Sequence, residues 1–79
     1  MKTLNINIKM KENNDRILNV MEKYEFTGNI IKGQYNLYYL VGEITTNFPI
    51  SEIAHIIGKD LIDNDIDYMM IKPSMKFEF

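Results

Sequence analysis

Apolar and polar residues alternate at the start of the chain: Leu4, Ile6, Ile8 and Met10 are interleaved with Thr3, Asn5, Asn7 and Lys9. A period of two puts successive side chains on opposite sides of a strand, so this segment predicts a strand with one apolar and one polar face. The period changes at Glu12-Asn13-Asn14-Asp15, after which Ile17, Leu18, Met21 and Tyr24 follow the 3.6-residue repeat of an amphipathic helix reaching Glu25. Asn13 or Asn14 is placed to cap it, and Glu12 and Asp15 suit the positive end of its dipole.

Phe26 to Ile31 and Tyr35 to Ile44 read as two strands joined at Lys32-Gly33-Gln34, a hairpin signal. The second is apolar on both faces, which predicts a central strand covered at least in part on each side. Gly28 and Gly42 inside these runs mark bulges or close backbone approach. A loop over Thr45 to Pro49 leads into a second helix, whose Ile50, Ile53, Ala54, Ile57 and Leu61 form a core-facing stripe. Gly58 interrupts that stripe at a cost of about 1 kcal/mol relative to alanine, either ending the helix early or permitting close packing. Asp63-Asn64-Asp65 is a polar turn, Ile66 to Ile71 a further strand, and Pro73 its end. Ser74 to Phe79 alternates again, an optional extra C-terminal strand.

The order is β-α-β-β-α-β in a single compact α+β domain over residues 1–79. The expected closure is a ferredoxin-like sandwich, two helices on one face of a four-stranded antiparallel sheet, as right-handed crossovers favour.

Composition narrows the function more than it names one. Hydrophobic residues make up 46% and charged residues 25% of the 79 residues, values of an ordinary folded domain. A net charge of -2 weighs against a generic nucleic-acid coat, which needs a basic excess. The absence of cysteine removes disulfides, thiolate metal sites and a cysteine nucleophile, and suits the cytoplasm. The polar residues interleaved at the N-terminus do not make a signal peptide, and no apolar run approaches the ~20 residues of a membrane span. Heavy use of Ile, Asn and Lys, with Ala54 the only alanine and Arg16 the only arginine, fits an AT-rich genome such as that of a low-GC bacterium or its phage.

The sharpest constellation is acidic: Asp60, Asp63, Asp65 and Asp67. Oxygens at alternate positions of Asp63-Asn64-Asp65-Ile66-Asp67 imitate the start of a calcium loop, but Tyr68 stands where an EF-hand needs glycine and Ser74 where it needs glutamate. His55 is the only histidine, lies off the apolar stripe, and has no nucleophile in evident partnership. The glycines are too widely spaced for a phosphate loop. No feature calls for a cofactor or a metal.

The element order resembles that of small ferredoxin-like endoribonucleases, the CRISPR-associated adaptation nuclease and related antitoxin ribonucleases, over nearly the whole chain and in topology only. Members of the adaptation family are expected to carry a metal-binding aspartate near the end of the first strand. Here that strand ends Asn7-Ile8-Lys9-Met10, and the nearest aspartate is Asp15.

These features favour a non-catalytic cytoplasmic binding module, an inhibitor or regulator of phage or mobile-element type that occludes a surface of a larger protein. Asp60, Asp63, Asp65 and Asp67 would meet a basic groove, such as one in nucleic-acid-processing machinery. Met75, Phe77 and Phe79 would form an apolar row on an edge strand open to β-augmentation or homodimerisation. The alternative is a nucleic-acid-directed protein, either an RNA binder using Tyr38 with Lys9, Lys11 and Arg16 or a weak metal-dependent ribonuclease using Asp15.

Overall fold

The computed structural model describes residues 1–76. It contains β1 (Lys2–Met10), α1 (Arg16–Met21), β2 (Thr27–Lys32), β3 (Tyr38–Thr46), α2 (Ile50–Asp63) and β4 (Met70–Met75). The strands form one sheet in the order β2-β3-β1-β4, with every neighbouring pair antiparallel. The fold is therefore α+β, a four-stranded antiparallel sheet with two helices.

The alternation in β1 decides which face is covered. Leu4, Ile6, Ile8 and Met10 are buried and pack with Leu40 and Ile44 of β3. Ile17 and Met21 of α1, Tyr24 just beyond it, and Ile53, Ile57 and Leu61 of α2 complete the same cluster. Both helices thus lie over one face of the sheet. Each buried aliphatic side chain contributes on the order of 1.5–3 kcal/mol, and this single layer holds the domain together.

Several segments depart from the sequence expectation, each for a local reason. The first helix is shorter than its apolar repeat suggests: after Met21 the chain tightens into a 3-10 turn, and Glu25 ends it with a left-handed backbone. The Asn14 side chain accepts a hydrogen bond from the Arg16 backbone N–H at 3.1 Å in the turn leading into the helix, while the flanking residue, Asp15, makes no side-chain cap bond. Tyr35, expected in the hairpin strand, sits with Asn36 in left-handed conformation in a turn, so β3 begins only at Tyr38 and runs on through Thr46. The outward side of β3 is covered only in part: Tyr39, Glu43 and Thr45 are half-buried, while Val41 keeps 38% of its surface exposed.

Pro73 does not end the last strand. It lies within β4, an edge strand, where a missing N–H is tolerated. Ser74 and Met75 therefore belong to the same strand as Ile71, whose start moves from Ile66 to Met70. Phe77 and Phe79 fall outside the described residues.

Two glycine sites show close packing rather than interruption. Gly28 and Gly42 pair directly across β2 and β3, and the Phe26 ring covers them: a Cβ on Gly42 would come within 2.9 Å of Phe26 Cε2 and 2.8 Å of the Gly28 Cα. Gly58 is buried inside α2, which continues past it to Asp63. The Tyr68 phenol fills the space a side chain there would need, with its Cζ 3.2 Å from the would-be Cβ.

Candidate functional site

The acidic stretch after α2 is first of all a helix stop. Asp65 adopts a left-handed backbone with φ 57°. Its N–H donates to the Ile62 carbonyl at 3.0 Å, while the Ile66 N–H donates to the Leu61 carbonyl at 2.9 Å. This is the Schellman arrangement, which satisfies the last carbonyls of a helix and sets an apolar residue beyond the end against one in its last turn. Ile66 and Leu61 are both buried. The alternating oxygens that resemble a calcium loop in sequence are thus the polar side of a reversing chain. Among the described residues no three acidic or histidine side chains gather as a metal site would require.

Asp60 faces the other way, toward the interior. Its carboxylate accepts a hydrogen bond from the Tyr24 hydroxyl and pairs with Lys23 Nζ at 2.8 Å. Burial opposes its ionisation, but hydrogen bonds from Lys23 and Tyr24, reinforced by the charges of Lys23 and Lys59, outweigh burial and hold the carboxyl below its ordinary range. The Tyr24 hydroxyl is pushed far above its ordinary range by burial and then by the adjacent carboxylate. The cluster ties the turn after α1 to α2. Asp60 is therefore committed within the fold, while Asp63, Asp65 and Asp67 are exposed.

The basic residues singled out in the sequence separate. Lys11 and Arg16 line a cleft of about 610 Å³ between the β1–α1 and α2–β4 loops, with Asp65 and Asp67 on its opposite side. The Arg16 guanidinium spans this cleft, donating to the backbone carbonyls of Asp65 at 3.0 Å and Asn64 at 3.4 Å. Lys9 instead lies on the uncovered face of the sheet. Tyr38 packs against the core, so the tyrosine of the uncovered face is its neighbour Tyr39. Met75 is exposed at the β4 edge, and His55 is exposed on α2.

That face of the sheet is free of the chain's helices. The register lays out its rows. Ile31, Tyr39, Lys9 and Met70 run across all four strands, followed by Asn29, Val41, Asn7 and Lys72, and then by Thr27, Glu43, Asn5 and Ser74. Ile31 and Met70 are more than half exposed. Asn5 and Asn7 floor a shallow groove of about 430 Å³ along β1, walled by Val41 and Glu43 on one side and Lys72 and Ser74 on the other. Glu43 is the one acidic side chain of these rows, and it pairs with Lys76 at 2.8 Å. Lys9 and Lys72 take part in no ion pair among the described residues.

Sequence reasoning found the polar face of β1 but missed Tyr39, Val41, Ile31, Met70 and Lys72 as its neighbours. The signal was the alternation itself; what it lacked was the register that sets the odd positions of β1, β2 and β3 beside the even positions of β4. Compared with known protein families, curated proteins and solved structures, the chain matches none.

Proposed function

We propose that the chain is a small, non-catalytic, ferredoxin-like binding module that acts in the cytoplasm as an inhibitor or regulator, its open sheet face occluding a surface of a larger protein. The strand order β2-β3-β1-β4, with a helix in each crossover, supports the ferredoxin-like assignment. One observation carries the functional reading. The face without helices presents Ile31, Tyr39, Val41 and Met70 among amides and lysines, the mixture of apolar, aromatic and polar groups that protein interfaces use.

The acidic turn is a weaker candidate surface than its sequence suggests. Asp60 is engaged by Tyr24 and Lys23, and Asp65 serves the helix stop. The working surface is thus opposite in local charge to the chain as a whole.

Site-specific photo-crosslinking tests this reading. A photoreactive residue at position 41 is expected to capture one defined protein from extract of a low-GC bacterial host, and that protein, once identified and purified, is expected to bind the unmodified chain. The same residue at position 63 is expected to capture nothing above background. Equal capture from both positions, or a purified protein that does not bind, would overturn the assignment of the face.

A further inference from the structure

The groove along β1 carries a more specific chemistry than the face as a whole. Asn5 and Asn7 floor it, each able to present amide donors upward, and Lys72 stands directly across from Asn7 in the β1–β4 register. Lys9 lies two residues further along the same strand face. Alternate residues of a strand recur at about 7 Å, so donors are repeated along β1 with the same spacing at which an extended chain repeats its own alternate side chains.

We propose that this groove receives an extended acidic segment of the partner protein, its carboxylates meeting the Lys72 and Lys9 ammonium groups and the Asn5 and Asn7 amides. The proposal rests on the assignment of the open face as the binding surface. Three observations select this occupant. The local charge is positive, because Glu43 is paired with Lys76 while Lys9 and Lys72 remain unpaired among the described residues. Among the described residues, a second copy stacked face to face brings no free carboxylate of this face to those lysines, since its own Glu43 is likewise engaged. A single-stranded nucleic acid gains little here: two lysines release counterions from only about two phosphates, giving a salt slope near -1.4. Among the described residues of this face its bases find one aromatic, Tyr39, and the chain's net charge is -2. Val41 at the groove wall and Ile31 and Met70 nearby suit aliphatic side chains interspersed with the carboxylates.

The test follows backbone and asparagine side-chain amide signals of the isotopically labelled full chain during titration with three probes. These are a short blocked peptide alternating leucine and glutamate, its leucine–lysine counterpart, and a short oligouridine. The glutamate peptide is expected to shift Asn5, Asn7, Lys9 and Lys72 saturably. Its affinity should fall roughly tenfold in K9Q/K72Q and further in K9E/K72E, as charge-pair losses at an interface imply. Unchanged thermal unfolding of K9Q/K72Q shows that the fold is intact. Equal binding of the lysine peptide, tighter binding of the oligouridine at the same residues, or no shift with the glutamate peptide would overturn the proposal. Crosslinking from position 41 separates the two levels: if it still captures a partner that passes the binding test, the face assignment stands and only the acidic segment falls.

Discussion

The two faces of the sheet are built from the same four strands, yet they behave as different materials. On the covered face every even position of β1 from Leu4 to Met10 is buried, and side chains from α1 and α2 fill the layer above. On the other face, Asn5 and Asn7 stand in the open beside Val41 and Lys72. The strand period enforces the separation, since a side chain can belong to only one face. The covered face thus supplies cohesion, and the open face is free to vary in chemistry without endangering the fold.

Substitutions of graded severity sharpen that contrast. The largest effect is expected at the centre of the helix layer, where Ile57→Ala should cost about 2–5 kcal/mol in denaturant unfolding by loss of burial and creation of a cavity. Gly42→Ala comes next. A methyl there meets the Gly28 backbone and the Phe26 ring, and an overpacking cost of about 1–3 kcal/mol is expected in the same assay.

Tyr24→Phe should cost about 1–2 kcal/mol, because Asp60 loses one hydrogen bond but keeps Lys23. The same pair sets the pH response. Asp60 has a lowered folded pKa, so its contribution is present above the unfolded value near 3.9 and is lost as pH falls through the folded value. Tyr24 has a raised folded pKa, so its contribution is full below about pH 10 and is lost as pH rises beyond that. Thermal unfolding across pH should show both losses in the parent and only the acid one in Tyr24→Phe, where Lys23 still holds Asp60.

Asp65→Gly is expected to stabilise by about 0.5–1 kcal/mol, because glycine accepts the left-handed stop without strain. The smallest change is expected on the open face, where Val41→Ser should stay within about 0.5 kcal/mol. A loss above about 2 kcal/mol at Val41 would mean that the open face carries structural weight and would break the comparison.

Much of this architecture is legible in the sequence. The β1 alternation and the α2 stripe are long and regular, so burial and secondary structure agree and the pattern leaves one solution. Short segments were harder to read. Tyr35 is of a type that favours strands, yet the turn holds it left-handed beside Asn36, whose type suits that conformation. Pro73 reads as a terminator only when the strand's neighbours are unknown; at a sheet edge it is tolerated. The candidate site was half legible. Lys9 and the asparagines were evident as polar positions, while their juxtaposition with Lys72 and Val41 depends on pairings of residues more than thirty positions apart. The acidic turn shows the limit of spacing: alternating oxygens resemble a ligand loop whether or not they converge, and here the glycine and glutamate of an EF-hand are already missing from the sequence.

The measurement that tests the account most directly is calorimetric titration of the purified, crosslink-identified partner with two variants side by side. Val41→Asp places a charge in the wall of the groove, and the triple variant D63N/D65N/D67N neutralises the acidic turn. At least a tenfold loss of affinity is expected for the first and less than a twofold change for the second. The reverse ranking would contradict it, and would return the acidic turn to the position of binding surface.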